Sequence, residues 1–264
     1  MSVPAEVIAH YNEGQEHLRL TAGHGRLELW RTQDILLRRL PPPPARVLDV
    51  GGGPGVYAEW LAGLGYAVHV VDPVPLHVEQ AASLPGVTAA LGDARALTED
   101  EASYDVVLAL GPLYHLIDRV DRVRAWREFG RVVVPGGLVA AAVISRFAGL
   151  NDGLRKDLIR DPSFAAVVDA DLSDGKHRND LDVPDRFTTA YFHHPDELAG
   201  EVADAGLSLY GVLAVECTAW LVGTLPLLLD DPVRRELLLS WLRRIEAEPT
   251  LLGASSHLLV LASR

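Results

Sequence analysis

Between Val47 and Ala62 the chain reads VLDVGGGPGVYAEWLA, an apolar run that breaks into four glycines within five residues and then resumes as a helix. Val47 to Val50 has the aliphatic, β-branched character of a buried parallel strand. Val56, Trp60, Leu61 and Leu64 then return at helical spacing. A turn without side chains, between strand and helix, permits positive φ angles and lets a ligand approach the backbone. The segment therefore predicts a nucleotide cradle at the end of a strand, in an open α/β sheet.

The residues after it extend that pattern. Strands are expected at 67–71, 87–91, 105–110 and 138–144, with helices between them, the longest over 118–134. Such alternation gives a parallel sheet joined by crossover helices. Upstream, 5–40 reads as two helices ended by the prolines at 41–44, which cannot donate backbone hydrogen bonds. Downstream, 146–190 reads as irregular and polar, followed by a helix over 195–205 and a strand over 207–215. Asp231-Pro232 marks another helix start, with Val233, Leu237, Leu238, Trp241, Leu242 and Ile245 expected on one apolar face. The segment 257–262 reads as a last strand.

At 264 residues and 48% hydrophobic content, the chain suits one domain with insertions. Its net charge of -12 disfavours a nucleic-acid partner, which would need a basic footprint. Arg119, Arg122, Arg124, Arg127 and Arg131 read as the solvated face of one helix, opposite Val120, Val123, Trp126 and Val133. A single cysteine, Cys217, can form neither an internal disulfide nor a cysteine-based metal centre and reads as a small core residue. With no apolar signal core and no run long enough to span a bilayer, a cytoplasmic protein without membrane contact is expected.

The loop Asp49-Val50-Gly51-Gly52-Gly53-Pro54-Gly55 departs from the dinucleotide fingerprint, whose third glycine would fall at Val56, and lacks the Lys-Ser/Thr of a phosphate loop. It resembles the acidic-x-Gly-x-Gly-x-Gly loop of class I S-adenosylmethionine-dependent methyltransferases. That resemblance implies that Gly51, Gly53 and Gly55 meet the methionine side of S-adenosylmethionine, with Asp49 near its ammonium. Asp72 closes the second strand, where doubly wound folds place an acid against a ribose diol. The resemblance further sets Asp93 and Ala94 beside adenine, and Leu110 and Gly111 near the sulfonium.

On the substrate side it implies Tyr114 and His115, with His115 a candidate general base because an imidazole titrates near neutrality. The loop Gly111-Pro112-Leu113-Tyr114 is not the Asn/Asp-Pro-Pro-Tyr signature of exocyclic-amine methyltransferases. Tyr11 and Arg19 are expected to reach the cofactor's carboxylate side from N-terminal helices, in which His17 and Glu28 also lie. Arg146, Tyr191 and His194 are expected at the substrate rim, with His193 a second candidate base. Adjacent residues on an extended segment face opposite ways, so His193 and His194 are not expected to share a metal, and no metal site is expected.

The resemblance implies a Rossmann-like, doubly wound, seven-stranded and mostly parallel sheet with an antiparallel last strand, N-terminal helices and a cap insertion. A helical lid would occupy 1–45 and the methyltransferase domain 46–264, with substrate-side insertions at 146–190 and 217–255. The expected reaction is methyl transfer from S-adenosylmethionine to a small-molecule oxygen, nitrogen or carbon nucleophile, releasing S-adenosylhomocysteine. A binding module without transfer activity and an RNA or protein methyltransferase remain the alternatives.

Overall fold

The structure, a computed structural model, describes residues 11, 19–178 and 187–264. Most of the expected first N-terminal helix, with His17, lies outside the described residues.

The expected alternation is present as β1 (Arg46–Val50), α2 (Val56–Gly63), β2 (Ala67–Asp72), α3 (Pro75–Ala82), β3 (Val87–Leu91), β4 (Tyr104–Ala109), α4 (Arg119–Val132) and β5 (Val133–Ser145), preceded by α1 (Gly25–Leu37). Downstream lie α7 (Glu197–Asp204), β8 (Ser208–Ala214), α8 (Leu225–Asp230), α9 (Pro232–Ile245) and β9 (His257–Ser263). The main sheet runs β3-β2-β1-β4-β5-β9-β8, with β9 antiparallel to both of its neighbours. This is the expected seven-stranded arrangement. A two-strand annex adds to it: β7 (Ala190–His193) pairs with the last two residues of β5, and β6 (Lys176–His177) pairs with β7.

Strand alternation sends side chains to two apolar layers. Leu48, Val50, Val107 and Ala109 meet Trp126 and Phe129 of α4, whereas Val47, Val106 and Leu108 meet Ile35 and Leu36 of α1 and Leu61 of α2. Helix α1 is therefore part of the core. Its buried Arg31 donates to the Val215 carbonyl at 2.9 Å and to Glu246 at 2.7 Å, tying it to the C-terminal segments.

Three expectations are corrected. The segment 146–190, expected to be irregular, contains α5 (Ala148–Arg155) and α6 (Pro162–Asp174) besides β6. Asp161 caps α6 by accepting from the Ser163 amide, the same Asp-Pro start signal that begins α9. In α9 the inward residues include Leu239 and Leu242, while Val233, Leu237 and Trp241 are exposed. The helix is turned so that part of its apolar surface lies outward. In α4, Arg122 is buried and Val120 is exposed, so the five arginines do not share one wet face. Cys217 is buried, as expected. Among the described residues, no helix is long and apolar enough to cross a membrane.

Candidate functional site

The parallel register aligns the carboxyl ends of β1, β2, β3 and β4 along one edge, where a cavity of about 550 Å³ opens. Gly51 turns the chain out of β1 at a φ of 66°, and its amide donates to the Val71 carbonyl at 2.7 Å. A Cβ at Gly51 would stand 2.9 Å from Pro112 Cδ, and one at Gly111 would stand 3.0 Å from the Gly51 carbonyl oxygen. The loops after β1 and β4 can meet only because both positions lack side chains.

Asp72 organises the same turn. Its carboxylate accepts from the Gly53 amide at 2.9 Å and the Val74 amide at 2.9 Å, and lies 3.1 Å from His77 Nδ1. Asp49 is fully buried behind the loop, and neither of its oxygens has a hydrogen-bond partner among the described residues. Burial, reinforced by the charge of Asp72, pushes its carboxyl up to about 7.

Asp93 and Ala94 also line the cavity, with Arg95. The Arg95 guanidinium donates to both oxygens of Asp93, at 2.9 and 2.6 Å, and to Asp121 at 2.7 Å. Burial alone would raise the Asp93 carboxyl, but its bonds from Arg95 hold it below the usual range. Leu110, Gly111, Tyr114 and His115 supply the wall after β4, and Tyr11 and Arg19 close the cavity from the N-terminal side. Tyr11 Oη lies 2.8 Å from His115 Nε2.

The structure thus brings Asp49, Gly51, Gly53, Asp72, Asp93, Ala94, Leu110, Gly111, Tyr11, Arg19, Tyr114 and His115 to one cavity. Gly55 is a correction. It is the N-cap of α2 at a φ of 93°, and the space a side chain would need is filled by Leu84, so it serves packing behind the loop. His77, Arg95, Ile117 and Asp121 are lining residues that the sequence reading missed. Arg95 follows Asp93 by two positions, a spacing at which an arginine can fold back on an acid.

A second cavity of about 410 Å³ adjoins the first and shares Tyr11, Arg19 and Tyr114 with it. Its walls come from α5, α6, β6, the Phe187 region and the stretch around Trp220, with Glu28, Glu216 and His257 on one side. Arg19 donates to both Glu28 oxygens, at 2.6 and 3.1 Å, and Glu216 lies 2.6 Å from His257 Nδ1. Glu28, Glu216 and His257 carry metal-ligating atoms within 4.8 Å of one another. Those atoms are already engaged with Arg19, Ser255 and each other.

Burial opposes a charged His257, but Glu28 and Glu216 outweigh it and raise the imidazole to about 9. The stability this pairing supplies is present below the ordinary value of 6.5 and is lost as pH rises through about 9. Glu216→Gln is expected to shift that loss toward neutral pH. Thermal melts from neutral to alkaline pH check it; an unchanged profile would reject the pairing.

Besides Gly55, four predicted residues lie outside both cavities. His193 is fully buried with Nε2 3.5 Å from Glu201, and burial keeps its imidazole below the ordinary value. It therefore has no access to a reacting atom, which corrects its assignment as a base. Arg146 donates to the Tyr191 hydroxyl at 3.1 Å and to Glu197 at 2.8 Å, and the Arg122 guanidinium sits 3.6 Å from the Tyr191 ring centre. Arg146 and Tyr191 form a structural network between β7 and α7. His194 is half-buried beside Phe147. The pairing of β7 with the end of β5 sets Phe192 in the wall of the second cavity and leaves Tyr191 and His193 on the α7 side.

Residues 47–137 match a family model described as a methyltransferase domain. A ubiquinone biosynthesis O-methyltransferase of Methylocella silvestris is 36% identical over 125 residues, covering 44% of this chain and 48% of that protein. One from Methylobacterium nodulans is 30% identical over 184 residues, covering 67% of this chain and 66% of that protein. The chain thus covers less than two thirds of these relatives' length. A SAM-dependent methyltransferase structure from Thermotoga maritima, 18% identical, superposes with a TM-score of 0.61 over 98% of both chains and has the same fold.

Proposed function

The chain carries a class I S-adenosylmethionine-dependent methyltransferase domain, and from that premise we propose that it methylates a small molecule held in the second cavity. The observation that carries this reading is Asp49, a buried acid without a partner among the described residues, behind a glycine loop that lines the cavity. An unpaired buried carboxylate is costly, and the cofactor's ammonium would pair it.

S-adenosylmethionine supplies a methyl group on a sulfonium, already activated toward a nucleophile. In this reading Gly51 and Gly53 let the methionine portion approach the backbone. Asp72 accepts from the ribose hydroxyls with the capacity left after its bonds to Gly53 and Val74. Asp93, braced by Arg95, and Ala94 flank adenine, while Leu110 and Gly111 border the sulfonium. Tyr11 and Arg19 cover the carboxylate side, and Tyr114 and His115 stand between donor and acceptor. Holding the reactants aligned and dry can be worth ~7 kcal/mol or more.

The region 46–264 forms the catalytic unit in this proposal, with 146–190 and 217–255 on the acceptor side and part of 1–45 as its lid. The O-methyltransferase relatives support a hydroxyl acceptor. The single buried Cys217 suits a cytoplasmic setting.

Asp72→Ala is expected to weaken S-adenosylhomocysteine binding by about 1–3 kcal/mol, from the lost charged hydrogen bond and the loosened loop. Calorimetry checks it, and unchanged affinity would reject the ribose assignment. Methyl-labelled cofactor incubated with a metabolite extract should place label in the small-molecule fraction. Label confined to RNA or protein, or no transfer, would overturn the proposal.

A further inference from the structure

We infer that His177, oriented by Asp171, is the base that deprotonates a hydroxyl on a flat aromatic acceptor in the second cavity, an inference that rests on the methyl-transfer reading above. Asp171 lies in the last turn of α6 and is fully buried; His177 lies in β6. The His177 Nδ1 sits 3.0 and 3.1 Å from the two Asp171 oxygens. An ionised carboxylate accepts only, so it holds the proton on Nδ1 and leaves Nε2 with a lone pair. Nε2 is buried and has no hydrogen-bond partner among the described residues. Leaving such an atom unsatisfied costs stability and calls for an explanation in function. The His177 ring itself is part of the second cavity's wall.

The other imidazoles near the two cavities stand differently, and His24, which also lines the second cavity, is only partly buried. His115 is joined to Tyr11; His77 repeats the pairing, with Nδ1 beside Asp72 and a buried Nε2 that has no partner among the described residues, but it lines the first cavity and not the second. His257 is held in its charged form by Glu28 and Glu216, so at neutral pH it has no lone pair to offer. His193 lines neither cavity.

The walls define the acceptor's shape. The His177 ring stacks on Phe192 at 4.7 Å with 12° between planes, and its centre is 6.4 Å from that of Phe187. Phe187 in turn lies 5.7 Å from His115 and 6.0 Å from Tyr114, which border the cofactor cavity. Phe164 and Trp220 complete an aromatic lining that favours a planar ring, and a cavity of this size takes a molecule of one or two rings.

In the step this assigns, the acceptor's O–H proton passes to His177 Nε2, and the oxygen forms a bond to the methyl carbon as the carbon–sulfur bond breaks. The electron pair of that bond stays on sulfur, giving S-adenosylhomocysteine and the methyl ether. The imidazolium that forms is balanced by Asp171. His177 is thus the catalytic residue and Asp171 a positioning residue.

The test uses 4-nitrophenol, whose phenolate is coloured and whose phenol is not. It is titrated into protein saturated with S-adenosylhomocysteine, at a pH below the probe's own pKa. Binding to the unaltered protein should generate the phenolate colour. His177→Gln should bind the probe by calorimetry without the colour, and Asp171→Asn should lose about tenfold or more of the coloured fraction. Unchanged affinity for S-adenosylhomocysteine in both variants shows that they are folded. Equal colour in His177→Gln, or no probe binding to the unaltered protein, would overturn the inference. If S-adenosylhomocysteine itself fails to bind, the methyl-transfer reading falls, while the same titration of the ligand-free protein still reports on the His177–Asp171 pair.

Discussion

Arg122→Ala is expected to lower folding stability by about 3–5 kcal/mol, because it strands the buried Glu201 without its counter-charge. Arg122 Nε donates to Glu201 at 2.8 Å, and both side chains are almost wholly excluded from water. Its Nη1 donates to the carbonyls of Leu116 and Ile117, at 2.9 and 2.7 Å. Those two residues line the cofactor cavity. The substitution should therefore also weaken S-adenosylhomocysteine binding, through a loosened wall and with no ligand contact removed. Urea denaturation and calorimetry read the two effects separately. Replacing Arg122 with Met and Glu201 with Leu together should recover much of the lost stability, since an apolar pair of similar volume removes both desolvation costs. A loss below about 1 kcal/mol in the single variant would mean that the pair contributes no more than an exposed one.

The second large effect is expected at Asp49, where binding and stability should move in opposite directions. Burial and the neighbouring Asp72 raise its carboxyl to about 7. A raised acid holds its proton more tightly in the folded protein than in the unfolded chain. Its favourable contribution is therefore fully present below the ordinary carboxylate range and is lost as pH rises through about 7. Over that span the loss is roughly 4 kcal/mol from this group alone. Asp49→Asn removes the charge, so the ligand-free protein should be more stable than the parent at alkaline pH. The same change should weaken S-adenosylhomocysteine binding by about 1.5–3 kcal/mol, the worth of a hydrogen bond to a charged group. In the parent, binding should tighten as pH rises through about 7 and release a proton. Calorimetry in buffers of differing ionisation enthalpy measures that proton, and denaturation at alkaline pH measures the stability. Affinity independent of pH would remove Asp49 from the ammonium assignment.

The cofactor half was legible because its chemistry sits where strands end, and strand ends are marked by local signals. Asp49, Asp72 and Asp93 each follow an apolar run, and the parallel register sets them along one edge without help from distant residues. Gly55 was misassigned because glycine serves both ligand approach and close packing, and only the position of Leu84 tells the two apart. Arg122 was misread because helical spacing shows which residues share a face but not that a distant Glu201 will meet one of them. The residues expected at the rim, Arg146, Tyr191, His193 and His194, depended on how β7 joins the sheet, which two backbone pairings with β5 decide. Asp171 and His177 gave no local signal, since their pairing forms only when α6 turns back into β6. The Asp161-Pro162 start of α6 was readable by the rule that identified α9.

Strand β5 runs thirteen residues, and its two ends belong to different neighbourhoods. Its earlier part, through Ala141, lies beside β4 within the seven-strand sheet, while Ile144 and Ser145 hold the annex strand beside α5 and α6. The matched domain, 47–137, stops inside that strand. Nearly everything lining the first cavity comes from residues up to Asp121, and most of what lines the second comes from Ile144 onward. A lineage could therefore recast one compartment by insertion or recombination beyond β5 while inheriting the other intact, with the strand as the seam between an old half and a replaceable one.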